Sequence, residues 1–264
     1  MNGNVLYDGQ YLGETLQAFR TDMLLVKSTL HERSESRFHC HTNAYLSILL
    51  SGLYDEMTKD TCDKICPSYV IFRPSHYHHK NRFITPKTKC LNIEFSTEWF
   101  DTKDVDHQRT NPQIKHVEDH PLLLRLLIDF LKYDKVDFFE DLLLDLITGE
   151  ENTDTVLRQP WLSKLVHILD NEIEVVHSLK SLSERVFVHP NYMSRVFKQH
   201  MGVTIGKYHI ERKLQHATKK LFIKKDSIAA IALASGFFDE PHFIRTFKTF
   251  NGITPHHFRM LLNS

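Results

Sequence analysis

No apolar run in the 264-residue sequence approaches the ~18 residues that a membrane-spanning helix requires, so a membrane partner is not expected. The start, Met1-Asn2-Gly3-Asn4, lacks the basic opening and apolar core of a secretory signal, which predicts a cytoplasmic protein. Cysteine is scarce: Cys40, Cys62, Cys66 and Cys90 all fall in the first hundred residues. Without a secretory signal they are expected as reduced thiols in a core rather than as a disulfide framework. No second pair follows Cys62-x-x-x-Cys66 at finger-like spacing, which argues against a zinc finger there. Net charge is also missing, but the zero is a sum of unequal halves. Residues 161–264 carry 15 Lys and Arg against 8 Asp and Glu, and the remainder carries a matching acidic excess. A basic C-terminal part and an acidic N-terminal part suggest that only the former meets a polyanion.

What is present is a repeat. Tyr192-Met193-Ser194-Arg195-Val196-Phe197-Lys198 returns as His242-Phe243-Ile244-Arg245-Thr246-Phe247-Lys248, and Gly202 and Thr204 return as Gly252 and Thr254, always 50 residues downstream. Two copies at that period indicate a duplicated module rather than a solenoid. Each copy reads as an amphipathic helix: Met193, Val196 and Phe197, or Phe243, Phe247 and Phe250, point inward, and Arg and Lys fall on the other face. Each ends at a glycine suited to a left-handed cap. A shorter apolar helix precedes each, through Leu179, Leu182 and Val186 or Ile228, Ile231 and Ala232. Short helix, tight turn and exposed basic helix is the helix-turn-helix order.

Earlier in the chain, Met23–Val26, Tyr45–Leu50, Tyr69–Phe72 and Cys90–Phe95 are β-type runs punctuated by Gly52, Pro67, Pro74 and Pro86. Short strands at this spacing predict a small barrel or jelly roll, an architecture that encloses ligands. His39-Cys40-His41, with Tyr45 and Gly52 following, resembles the first motif of the cupin superfamily, except that tyrosine stands where a metal-binding glutamate would be. Phe72-Arg73-Pro74-Ser75-His76-Tyr77-His78-His79 resembles the second. Converging imidazoles could hold zinc, iron or nickel, could contact an organic ligand, or could simply border the barrel. The carboxylate is missing, and either His78 or His79 could face inward. The expectation is an effector pocket of His39, His41, Tyr45, His78 and His79 with no metal or other cofactor.

Beyond Phe95 two helical stripes follow, Leu122, Leu123, Leu126, Leu127, Phe130 and Leu131, then Phe138, Phe139, Leu142, Leu143 and Leu146, with a charged break at Asp134-Lys135. They predict an antiparallel pair that either covers the barrel or joins two copies into a homodimer. Thr148–Thr155 is polar and aperiodic and reads as a linker closed by Pro160. The expected organisation is a barrel over 1–105, a helical pair over 106–150, a linker over 151–160 and a helical domain over 161–264. Helices are expected over Leu162–Glu174, Leu179–Phe187, Pro190–His200, Thr204–Ile223, Ser227–Ser235, Glu240–Phe250 and Pro255–Leu262. Prolines 190, 241 and 255 suit first turns, and Asp226, Asp239 and Thr254 suit caps.

The run Ile228-x-x-Ile231-Ala232-x-x-x-Gly236-Phe237, continuing through Phe243-x-Arg245-x-Phe247-Lys248 to Gly252-x-Thr254-Pro255-x-x-Phe258-Arg259, resembles the signature of the AraC/XylS family of bacterial transcription regulators. The resemblance implies an α+β protein: a cupin-like N-terminal β-barrel with a helical pair, then an all-α domain of two helix-turn-helix units joined by a long helix and reading adjacent major grooves. It also implies a regulator rather than an enzyme. Double-stranded DNA, an unidentified small-molecule effector, a second copy of the chain and RNA polymerase are then the expected partners. A metal-dependent cupin enzyme carrying a DNA-binding tail is the alternative. The base-reading candidates are His189, Asn191, Ser194 and Arg195 on the first helix and Glu240, Ile244 and Arg245 on the second. Arginine can fork onto guanine O6 and N7, Ile244 can touch thymine methyls, and Glu240 can accept from cytosine. Lys198 and Lys248 suit phosphates, as do Lys207, Arg212, Lys213, Lys219, Lys220, Lys224 and Lys225.

Overall fold

The four β-type runs all become well-buried strands. In the computed structural model, which describes residues 4–105, 114–133, 143–144, 147, 159–223 and 226–263, the chain divides into two units. One comprises Met1–Gly149 with Phe258–Ser264, the other Glu150–His257.

The first unit begins with β1 (Asn4–Leu6), β2 (Glu14–Arg20), β3 (Leu24–His31), β4 (Ser34–Glu35), β5 (His39–His41) and β6 (Tyr45–Ser51). It continues with β7 (Tyr54–Met57), β8 (Cys62–Ile65), β9 (Tyr69–Arg73), β10 (Lys80–Phe83), β11 (Thr88–Phe95), α1 (Thr97–Lys103), β12 (Ile114–His116), a 3-10 turn over Val117–Asp119 and α2 (Pro121–Tyr133). Among the described residues the strands do not close into one barrel. They lie in a six-stranded sheet ordered β12-β9-β6-β11-β3-β2, a four-stranded sheet ordered β4-β10-β7-β8, and the pair β1-β5.

The strands legible in the sequence, β9, β6, β11 and β3, are the four central ones of the large sheet. Val26, Leu46, Ile48, Leu50, Leu91 and Ile93 are at most 1% exposed. A fully buried aliphatic side chain of this size contributes about 1.5–3 kcal/mol. Helix α1 is capped by Ser96, which accepts from the Trp99 amide at 3.3 Å, and its Trp99 ring packs 4.8 Å from Phe95.

In α2 the residues Leu123, Leu126, Leu127 and Phe130 are fully buried, and Leu124 and Ile128 on the adjoining face are nearly so. That stripe is therefore consumed by the chain's own core and offers little to a second copy. Of the second stripe, Leu143 is described and buried; Phe138, Phe139, Leu142 and Leu146 lie outside the described residues, as do Asp134-Lys135 and residues 148–158, while Pro160, expected to end the linker, opens the next helix.

The second unit contains α3 (Pro160–Asn171), α4 (Leu179–Val186), α5 (Pro190–Met201), α6 (Ile205–Ile223), α7 (Ile228–Ala234), α8 (Glu240–Asn251) and the start of α9 (Pro255–Asn263). Leu165, Leu169, Leu182, Met193, Phe197 and Ile205 form the core beneath α4 and α5. Beneath α7 and α8, Phe243 lies 4.9 Å from Phe237 and 5.7 Å from Phe247 between ring centroids. The described cysteines are free; Cys40 and Cys90 are buried as expected, but Cys62 is exposed and Cys66 half-buried.

Candidate functional site

The duplication survives folding with its register intact, since α5 and α8 begin 50 residues apart and both stop at left-handed glycines, Gly202 (φ 70°) and Gly252 (φ 75°). Each has proline in its first turn, where the lost amide was unpaired anyway. At the head of α5 the His189 ring accepts from the Asn191 amide at 3.3 Å. At the head of α8 the Asp239 carboxylate accepts from the His242 amide at 2.6 Å. The short helices α4 and α7 are capped by Ser178 and Ser227, which accept from the amides of Ser181 and Ala230. Ser227 takes the place expected of Asp226, because its hydroxyl sits three residues before the amide it satisfies.

Burial on α5 follows the expected pattern: Met193, Val196 and Phe197 inside, His189, Asn191, Arg195 and Lys198 exposed, Ser194 half-buried. On α8, Phe243 and Phe247 are buried, Arg245 and Lys248 exposed, Glu240 and Ile244 half-buried. Two apolar expectations fail: Phe250 is 41% exposed and Leu179 48%. Each lies at a helix end, where the core-facing stripe runs out. The Arg195 guanidinium rests 5.6 Å from the centre of the Tyr192 ring. Among the described residues of this unit, Arg185 pairs with Glu172, at 2.5 Å, and Arg212 with Asp170, at 2.8 Å.

The latter pairing removes Arg212 from the exposed phosphate-binding set. Its guanidinium also donates to the Tyr208 hydroxyl, which donates to Asp170 at 2.8 Å. Lys213 is likewise engaged, donating to the Gly236 carbonyl at 2.6 Å. Lys207 and Lys219 stay exposed and Lys220 half-buried, while Lys224 and Lys225 lie outside the described residues.

In the first unit, strand register builds a second cluster. His39 and His79 face each other across an isolated bridge, and each amide donates to the other's carbonyl. That pairing brings their rings to 4.4 Å and leaves the neighbouring His78 exposed. The inward residue is therefore His79. His39, His41 and His79 are all buried, and one ring nitrogen from each lies within 4.8 Å of the others. The Nδ1 atoms of His39 and His79 bond the carbonyls of Arg37 and Tyr77 at 3.0 and 3.1 Å. Because a carbonyl only accepts, both rings carry their proton on Nδ1 and keep a lone pair on Nε2. The His79 Nε2 accepts from the Tyr45 hydroxyl at 3.2 Å.

Burial pushes His41 down to about 3 and holds His39 and His79 below the usual histidine range, so the three rings are neutral at pH 7. Three neutral imidazoles, two of them with the second nitrogen tied to a carbonyl, are a donor set for a borderline divalent metal, so the residues present fit one without the absent glutamate.

Tyr11, His31, Tyr54 and Asn92 also line this cavity, and no motif marked them in the sequence; Arg73 lines it too, and stands inside the second cupin-like stretch, which assigned it no role. Arg73 is the direct cross-strand partner of Tyr45, and its guanidinium lies 5.1 Å from the Tyr45 ring centre. Arg73 is itself neutralised by Glu56, its Nε donating to a carboxylate oxygen at 3.0 Å. His31 stacks on Phe83 at 4.0 Å and is pushed down to about 4 by burial. The enclosed space is about 30 Å³, room for one or two waters or an ion and far below the roughly 300–1,000 Å³ of organic-ligand sites.

Comparison with known proteins matches residues 182–260 to the helix-turn-helix domain family. The chain is 34% identical over 102 residues to the uncharacterized transcriptional regulatory protein YesN of Bacillus subtilis (strain 168), covering 37% of this chain and 28% of that protein. Its likeness to the uncharacterized HTH-type transcriptional regulator YobQ of the same organism is weaker but longer: 24% over 238 residues, 86% of this chain and 91% of the relative. Among solved structures it is similar to a transcriptional regulator with an AraC-type DNA-binding domain from Chromobacterium violaceum, at 33% identity and TM-score 0.38, covering 40% of this chain and 94% of that one. The chain thus spans less than a third of the length of YesN.

Proposed function

The C-terminal domain of this chain belongs to the AraC-type helix-turn-helix family, and from that premise we propose that the protein is a sequence-specific transcription regulator that binds double-stranded DNA. The observation that carries this reading is the pair α5 and α8, identical in length and alike in their caps, each with an arginine and a lysine on its exposed side. They are joined through the 19-residue α6, which at 1.5 Å per residue is roughly 28 Å long, comparable to the ~34 Å between successive major grooves on one side of a duplex. Arg195 and Arg245 read bases, with His189, Asn191, Ser194, Glu240 and Ile244 beside them; Lys198 and Lys248 hold phosphates.

Arg195→Ala and Arg245→Ala are each expected to weaken the preferred duplex by about 1–3 kcal/mol and to relax base choice locally, whereas Lys248→Ala weakens all duplexes alike and flattens the salt dependence. Fluorescence anisotropy against a randomised site library measures both. Arginine variants that bind every duplex as the parent does would overturn the readout assignment.

The reading extends to the histidine cluster as the effector site of the N-terminal unit. Its volume and its three neutral imidazoles favour a transition-metal ion, held by His39, His41 and His79 once the Tyr45 hydroxyl turns away from the His79 Nε2. An effector of any kind acts only by binding one arrangement of the protein better than another. Elemental analysis after dialysis against zinc or nickel is expected to give one ion per chain, lost in His79→Ala and kept in His78→Ala. Equal uptake by the two variants would remove the cluster from consideration. Metal-dependent turnover of a small molecule without any effect on DNA affinity would favour the enzyme reading instead.

A further inference from the structure

A second cavity lies wholly within the helical unit, and the DNA-reading side chains form part of its wall. It is half-open to solvent, offers about 570 Å³ and is lined by Leu169, Leu182 and Ile205, with Arg195, Lys198 and His209 among the polar groups. That volume falls in the range of small organic ligands, and it is about twentyfold larger than the histidine cavity. Leu179, 48% exposed, stands at its edge. An aliphatic interior of this size is not something a phosphate backbone can fill.

The polar groups indicate the sign of the missing partner. Arg195 and Lys198 are cationic, and no carboxylate belongs to the lining among the described residues. Two lining imidazoles, His177 and His209, with ring centroids 5.4 Å apart, each bury an Nε2 that has no hydrogen-bond partner among the described residues. The His177 side chain is 3% exposed, and its Nε2 lies 3.6 Å from a Glu172 oxygen, too far for a hydrogen bond. Buried polar atoms left unpaired in a protein of this kind call for an explanation, and an occupant is one.

We propose that this cavity binds an amphipathic organic anion, an aliphatic or aromatic body bearing one carboxylate, and that the bound carboxylate holds Arg195 and Lys198 so that ligand and DNA exclude each other. This regulation rests on the DNA reading of Arg195 given above. It differs from the effector site of the first unit in place, size and occupant.

The test uses the full-length protein with decanoate below its micelle concentration as probe. Calorimetry should show saturable binding of one decanoate per chain, and duplex affinity measured by anisotropy should fall at least tenfold at saturation. Decyltrimethylammonium, with the same tail and the opposite charge, should do neither. A Cβ at Gly206, which lines the cavity, would meet nothing within 4 Å. Gly206→Leu should therefore project into the space, weaken decanoate binding at least tenfold and blunt the effect of decanoate on duplex affinity to match, with an unchanged circular dichroism spectrum confirming the fold. Protein that binds no duplex would sink the DNA reading while calorimetry still tests the cavity. Intact duplex binding with no decanoate binding, with decanoate binding that does not compete, with equal binding by Gly206→Leu, or with an equal effect of the cationic tail overturns the proposal.

Discussion

Gly236→Ala is expected to destabilise the helical unit by about 2–5 kcal/mol, for two additive reasons. Gly236 sits at φ 73°, in the left-handed region that an alanine enters at a cost of roughly 1–2 kcal/mol. A Cβ there would also lie 2.1 Å from the Ile173 carbonyl oxygen and 2.9 Å from the Glu174 Cα, both backbone atoms that cannot swing aside. Overpacking of that kind costs about 1–3 kcal/mol or more. The residue lies in the turn between α7 and α8, and its carbonyl accepts from Lys213 of α6. A shift here therefore misplaces α8 as well. Gly202→Ala supplies the control, because Gly202 has a similar φ of 70° but open space where its Cβ would be. Thermal unfolding followed by circular dichroism should show a loss for Gly236→Ala several times that for Gly202→Ala. Comparable losses would mean that the close approach to Ile173 is not a real constraint.

The second large effect is expected from Glu56→Gln. The side chains of Arg73 and Glu56 are only 2% and 6% exposed, and the guanidinium also donates to the Tyr54 hydroxyl at 3.1 Å. Removing the carboxylate charge strands a buried cation, a change that costs about 3–5 kcal/mol when one partner of a buried pair is lost. Replacing both partners by apolar residues, Arg73→Met with Glu56→Leu, should recover most of that, since desolvation of the pair offsets much of its attraction. Urea unfolding of the single and double variants decides the matter. A double variant as unstable as the single one would show that the Arg73 contacts to Tyr54 and Tyr45, and not the charge balance, hold this part of the unit together.

Legibility in the sequence followed burial. The strands β3, β6, β9 and β11 are apolar because both faces are covered, so composition announces them. The strands β2 and β8 are mostly exposed and read as polar chain; only their pairing partners make them strands. That is also why the sheets are open where a barrel was expected: closure depends on edge pairing, which apolar runs do not encode. The helices of the second unit were readable to within a few residues because proline, serine, aspartate and glycine act locally, within one turn of the end they cap. Leu179 and Phe250 misled for the complementary reason, since periodicity says which face a residue occupies but not where the neighbouring helix stops.

The chain's order alone determined the duplicated basic helices, their 50-residue offset, their caps and their assignment to a helix-turn-helix domain, all of which depend on contacts between residues close in sequence. Tertiary structure decided what depends on residues far apart. It selected His79 over His78, because adjacent residues of an extended chain point to opposite sides and the bridge to His39 settles which side is inward. It withdrew Arg212 and Lys213 from the phosphate-binding set by giving them partners at Asp170 and Gly236. It also brought Arg195 to the wall of an apolar cavity built from four separate helices and two loops. Cavities and ion pairs are properties of distance in space, and a one-dimensional pattern carries that distance only where the chain itself is the ruler.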